Sequence, residues 1–118
     1  MGGAKARSAS TASVALSKGP VFHEFPTLRV DLKTDKCRSP YIKVTVIAEV
    51  FAADEPRLKA KEAAIIDTFQ AYLRGRTRAE AQGKAGTELL RGDFHILLNR
   101  VLAPARAKNL LFHEIILD

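Results

Sequence analysis

The stretch LLFHEIILD, residues 110–118, decides the fold. In an extended segment successive side chains point to opposite faces. Here Leu110, Leu111, Phe112, Ile115, Ile116 and Leu117 place apolar groups on both, and only His113 and Glu114 interrupt them. A frayed tail would be polar, whereas a strand apolar on both sides needs neighbours on both edges or cover on both faces. The segment is therefore expected to be a buried strand that completes a sheet begun earlier in the chain. His113 and Glu114 resemble an acid/base pair, but alternation puts them on opposite faces, where they cannot act on one substrate.

Working outward, the partners of that strand lie between residues 25 and 51. Leu28, Val30 and Leu32 alternate with Thr27, Arg29, Asp31 and Lys33, the period of a half-buried strand, and Pro26 confines its start to an edge. The polar run Thr34 to Pro40 predicts a hairpin-like connection to a second strand, Tyr41 to Phe51. In that strand Ile42, Val44, Val46, Ala48 and Val50 share one face, with Lys43, Thr45 and Glu49 on the other. Tyr41, Ile47 and Phe51 also fall on the polar side, and apolar groups on an outward face call for cover. The cover is either the N-terminal segment folding back over the sheet or a subunit or partner, so these three residues form the candidate interface.

Between the strands the period becomes helical. Asp54, Glu55 and Pro56 supply an N-cap candidate, an acid in the first turn and a proline where a missing N–H costs nothing. Leu58, Ile65, Phe69, Tyr72 and Leu73 then form one stripe, and Gly75 ends the helix. Thr77 and Glu80 have capping-box spacing and open a second helix. That helix is weak across Gly83 and Gly86, is strong from Thr87 to Leu102, and is terminated by Pro104. After a basic loop, Ala105 to Asn109, comes the terminal strand. The order strand, strand, helix, helix, strand predicts an α+β two-layer sandwich with both helices on one face of the sheet.

The 118 residues make one domain of ordinary size. Residues 1–20, rich in Gly, Ser and Ala, have the composition of a flexible linker-like arm, and the domain is expected to span residues 21–118. Of the net charge of +6, the arm's Lys5, Arg7 and Lys18 supply half, which weakens any inference of nucleic-acid binding from charge alone. No apolar run approaches the roughly 18 to 20 residues of a membrane span, and no signal-peptide core is present. The chain is expected to be a soluble fragment.

No phosphate loop, nucleophile elbow, paired-cysteine motif or zinc-protease motif occurs. His23, His95 and His113 lie too far apart to suggest a metal centre, and they are expected to be a strand residue, a helix-surface residue and a satisfied strand residue. Cys37, flanked by Lys36 and Arg38, could have a lowered pKa, but an inert loop residue is the expectation. The cations Arg57, Lys59 and Lys61, and Arg74, Arg76 and Arg78, could meet phosphates. They are interleaved with acids, and the second group has no aromatic to stack on bases. A small basic nucleic-acid-binding domain is thus the rival reading, and solvated helix ends are the expected one. No catalytic residue, metal or cofactor is predicted, and an enzyme is not expected.

From residue 21 onward the chain resembles the C-terminal domain of the FliL family of flagellar basal-body-associated proteins. The resemblance is carried by FPTLRVDL (25–32), YIKVTVIAEV (41–50), IIDTFQAYLR (65–74), Thr77, GKAGTELLR (83–91), Asn99 within LLNRVL (97–102), and the terminal LLFHEIILD. It implies a fold similar to the stomatin or SPFH domain, on the periplasmic side of the bacterial inner membrane. It also implies self-association, as a ring around the flagellar stator units, and support of torque and swarming motility. The family's N-terminal transmembrane helix has no counterpart here, so the chain is expected to be a periplasmic fragment of a membrane-anchored parent. The family offers no catalytic residues to carry over.

Overall fold

The computed structural model describes residues 19–35 and 39–118. Cys37 and nearly all of the expected arm lie outside the described residues. The fold is α+β, with four antiparallel strands and a layer of helices. The strands are β1 (Pro20–Glu24), β2 (Leu28–Asp31), β3 (Tyr41–Phe51) and β4 (Ala107–Leu117). Between β3 and β4 come a 3₁₀ turn (Ala52–Asp54) and helices α1 (Glu55–Ala60), α2 (Glu62–Arg74), α3 (Arg78–Ala81) and α4 (Gly83–Leu102).

β3 is the central strand. β4 pairs along one of its edges, from Ile42↔Leu117 to Val50↔Ala107. The other edge is shared end to end: β2 pairs with Tyr41–Val44 and β1 with Ile47–Phe51. The sequence predicts only β2 on this side, and β1 is a fourth strand. The break between them falls at Pro26, which has no N–H for the ladder, while the Phe25 N–H still reaches the Val46 carbonyl at 2.9 Å.

The core lies between the inner face of the sheet and the helices. Ile42, Val44, Val46, Ala48 and Val50 of β3 are all at most 1% exposed, as are Leu58, Ile65, Phe69 and Leu73 of the first two helices and Leu90, Phe94, Leu98 and Leu102 of α4. Phe69 and Phe94 stack at 4.3 Å between ring centroids, and Phe25, Tyr72 and Phe112 meet this pair edge-on. Each such buried side chain contributes about 1.5–3 kcal/mol.

The helix ends follow local chemistry. The Thr77 hydroxyl accepts from the Glu80 N–H, and the Glu80 carboxylate accepts from the Thr77 N–H at 2.9 Å, completing the capping box. The helix it opens is only four residues long. Gly83 turns the chain with φ +74°, and α4 starts so close to α3 that a Cβ on Gly86 would stand 2.4 Å from the Ala81 carbonyl carbon. The expected first helix is interrupted at Lys61, whose φ of −100° and ψ of 3° separate α1 from α2. At the far end of α4 the guanidinium of Arg57 donates to the Leu102 and Ala103 carbonyls at 2.7 and 2.6 Å. There it meets the negative end of the helix dipole.

β4 departs most from expectation, being neither central nor buried on both faces. Its second edge pairs with no described strand, and Leu111 and Ile116 are 40% and 43% exposed. Two register shifts leave His113 and Lys108 as extra residues in the ladder. Such bulges twist an edge strand and discourage further pairing. The bulge also breaks the alternation on which the separation of His113 and Glu114 rested, and both are exposed. The His113 side chain makes no hydrogen bond with a described residue, so it is not the satisfied strand residue expected.

Candidate interaction surface

Directly opposed residues in an antiparallel sheet share a face, so the register defines the side turned away from the helices. Ile47 stands between Glu24 of β1 and Leu111 of β4; Glu49 between Phe22 and Asn109; Lys43 between Arg29 and Ile116. Thr45, opposite Glu114, is buried on this side, its hydroxyl 2.7 Å from that of Thr27. Six large apolar side chains are exposed among the described residues, and four of them are here: Phe22 at 61%, Phe51 at 47%, Ile116 and Leu111. The other two, Leu89 and Ile96, lie one heptad apart on α4.

All three residues singled out from the sequence are on β3, but they do not form one cluster. Tyr41 and Ile47 are both half-buried, yet six residues of strand, roughly 20 Å, separate them. Tyr41 sits beneath Arg29, whose guanidinium carbon is 4.0 Å from the ring centroid. Ile47 joins Leu111 and Phe22, and Phe51 lies two rows further along, with the Lys108 ammonium 5.3 Å from its ring. Sequence reasoning missed Phe22, Leu111 and Ile116, because β1 was not recognised as a strand and the second apolar side of β4 was taken as core. At the centre of the face Ile47 and Leu111 share a row with Glu24, next to the row of Thr45 and Glu114, with Arg29 and Lys43 towards one end and Phe22 and Glu49 towards the other.

The remaining polar groups serve the fold. His23 Nε2 lies 2.8 Å from the Glu62 carboxylate and its ring meets Phe25 edge-on, tying β1 to α2. His95 is half-buried rather than a helix-surface residue, with Nε2 3.0 Å from the Ala107 carbonyl, while the Asn99 side-chain oxygen accepts the Ala107 N–H at 2.8 Å. α4 thus holds the start of β4 by both of that residue's backbone groups. Arg78 donates to the Asp118 carbonyl and to Gln82, and Arg76 lies 3.7 Å from Glu80 and over the Tyr72 ring. These cations are occupied within the chain, which leaves fewer of them for phosphates.

Shifted pKa values also have structural causes. Burial, then the hydrogen bond to Asp93, pushes the Tyr72 phenol well above its ordinary range. The Thr77 N–H holds Glu80 below the usual carboxylate range, and the hydrogen bond from Arg91 does the same for Glu88. Each belongs to the helical layer. No three His, Cys, Asp or Glu side chains converge as a metal site among the described residues, and no helix there is long and apolar enough to cross a membrane. An open groove of about 810 Å³ runs between Lys33 and α3, but its Arg78 is already engaged.

Residues 22–117 match the family model described as flagellar basal body-associated protein FliL. The flagellar FliL proteins of two Caulobacter vibrioides strains, NA1000 / CB15N and ATCC 19089 / CIP 103742 / CB 15, are each 30% identical over 108 residues, 85% of this chain and 49% of theirs. The chain spans about half the length of the curated relatives it matches.

Proposed function

The chain belongs to the FliL family of flagellar basal-body-associated proteins, and from that membership we propose that it is a non-enzymatic domain that self-associates and supports the stator of the bacterial flagellar motor. In this reading residues 21–118 are the working domain and residues 1–20 tether it to a membrane helix outside this chain. The domain stands on the periplasmic side of the inner membrane, its architecture related to the stomatin-like SPFH fold. Its contacts run through the outer sheet face, with Ile47 near the middle and Tyr41 and Phe51 at the two ends of β3.

One observation carries the proposal: among the described residues, four of the six exposed large apolar side chains lie on one face of the sheet, the side turned away from the helices. Exposed apolar groups gathered on one face mark a candidate interaction site. Weak contacts repeated around an assembly add through effective concentration, so each needs far less energy than an obligate dimer. A ring results when each copy offers one surface to a different surface of the next, and a closed pair when a surface meets itself.

The test is made in the cell, with the parent protein carrying Leu111→Asp as its only copy. Swimming diameter and the torque of tethered cells should fall while immunoblots show unchanged protein. Unaltered motility would overturn the interface assignment. Full motility and torque after deletion of the whole gene would overturn the stator role.

A further inference from the structure

The two ends of the molecule expose different charges. At the Phe51 end β1 begins, β3 passes into α1, and α4 passes into β4. Arg57, Arg106 and Lys108 are exposed there, while the nearby acids Glu49, Asp54 and Glu55 are all half-buried. At the Tyr41 end the acids Asp31, Asp35 and Glu80 are themselves exposed among the cations. Arg57 also covers the Leu102 and Ala103 carbonyls, which neutralises the negative end of the α4 dipole. A shallow open hollow of about 460 Å³ lies between Phe51, Arg57, Pro104 and Arg106, with Asp54 on its wall. The Phe51 ring is 47% exposed and has the Lys108 ammonium 5.3 Å from its centroid. The Gly19 carbonyl accepts the Ala52 N–H at 3.2 Å. Residues 1–18 therefore join the domain at this same end, bringing Lys5, Arg7 and Lys18 and no acid.

We propose that the Phe51 end of the domain docks on a bilayer surface, with Arg106 and Lys108 on anionic phospholipid headgroups and the Phe51 ring at the acyl boundary. The inference rests on the reading of residues 1–20 as a tether, and adds that the folded domain itself touches the membrane. A long cation beside an exposed aromatic suits that boundary, because the ring reaches the apolar layer while the ammonium stays with the phosphates. The eleven residues of β3 extend roughly 35 Å, whereas the field of a charged surface decays within about 10 Å at physiological salt. Only the end that touches the membrane feels it, and of the two ends only that of Phe51 presents cations without exposed acids. So small a patch binds weakly when free. Held by a tether, the domain meets the surface at high effective concentration, and a weak contact is enough to orient it. A nucleic acid or an acidic protein would supply anions but no apolar layer for Phe51, so the bilayer is the better fit.

Cosedimentation of the full chain with vesicles at about 0.1 M salt tests this, with circular dichroism to confirm folding. The vesicles are phosphatidylcholine alone, or phosphatidylcholine with phosphatidylglycerol. Expected is binding to the second kind alone, weakened about twentyfold or more by Arg106→Gln with Lys108→Gln. The matched pair Lys33→Gln with Lys84→Gln, exposed cations beside β2 and in the first turn of α4, should weaken it less than about threefold. The chain has no tryptophan, so Phe51→Trp places a single reporter at the proposed contact. Its emission should move to the blue on the anionic vesicles, and that of Tyr41→Trp should not. Equal weakening by the two pairs would mean that net charge alone attracts the chain, and would overturn the proposal. So would a Phe51→Trp emission that does not move, or binding to heparin that displaces the vesicles and leaves both reporters unshifted. A chain that binds neither vesicle overturns the membrane contact and leaves the stator reading standing, since motility judges that one separately.

Discussion

The two faces of β3 are made by one strand and differ in almost everything else. On the inner face Ile42, Val44, Val46, Ala48 and Val50 are sealed under the helices, and each has its environment completed by this chain. On the outer face, Tyr41, Lys43, Ile47, Glu49 and Phe51 alternate charge with apolar surface, and only Thr45 is fully covered. Hydrophobicity on the inner face answers to packing. On the outer face the described residues leave the same residue types exposed or half-buried, and it is on this contrast, rather than on any catalytic motif, that the proposed interface rests.

The comparison breaks most visibly at Phe94. Its ring stacks on Phe69 and is met edge-on by Tyr72 and Phe112, so it joins α2, α4 and β4. Phe94→Ala should cost about 3–5 kcal/mol, much of the stability of a small domain, read as a lower midpoint in urea. A loss below about 1 kcal/mol would mean that the aromatic cluster does not organise the core. Next in size are two backbone devices that hold the helical layer. Gly86→Ala puts a Cβ against the Ala81 carbonyl and should cost about 1–3 kcal/mol. Asn99→Ala leaves the N–H of buried Ala107 without its acceptor and should cost about 1–3 kcal/mol, with Ala107 and its neighbours losing protection in hydrogen exchange. If their amides stay as protected as before, the clamp is not what fixes the start of β4.

The strands and caps that give these predictions were largely legible in the sequence, and the reasons are local. β3 has an unbroken period of two, the Thr77–Glu80 box is a short-range pattern, and Gly75 closes α2 where expected. β1 was missed because five residues beginning with proline show little alternation, and their order comes from pairing with a strand more than twenty residues away. The interruption at Lys61 has no glycine or proline to announce it. β4 was recognised as a strand but misjudged in burial, since apolar groups on both sides of a segment look alike whether the chain covers them or leaves them open. The bulges at Lys108 and His113 have no sequence signature here. The candidate surface was legible at Ile47 and Phe51, and its other half depended on knowing which strands flank β3.

A smaller effect separates the layers by pH. The folded-state pKa of Tyr72 lies above its unfolded value, through burial and the hydrogen bond to Asp93. The protonated phenol therefore favours the folded chain, with its full contribution below about pH 10, the ordinary tyrosine value. Above that the unfolded chain loses its proton first and stability falls as pH rises. Thermal midpoints measured from about pH 8 to about pH 11 should drop at the alkaline end, and Tyr72→Phe should flatten part of that drop while lowering the midpoint at neutral pH. An unchanged alkaline slope in Tyr72→Phe would assign the effect to other groups.

The smallest stability effect is expected where the functional effect is largest. Phe22 is 61% exposed and lies beside Glu49 on the outer face, so Phe22→Ser removes little packing. Its urea midpoint should move by no more than the equivalent of about 0.5 kcal/mol, the usual range for surface substitutions. Backbone pairing of β1 does not depend on this side chain, and Val21 and His23 keep their contacts on the inner side. If Phe22 belongs to a surface completed by another molecule, the same substitution should lower motility in the cell and weaken association of the purified chain. A fold left intact with assembly impaired is the outcome that separates an interface residue from a core residue. If Phe22→Ser destabilised the chain by as much as Asn99→Ala, the outer face would be structural after all, and the distinction between the two sides of β3 would lose its functional meaning.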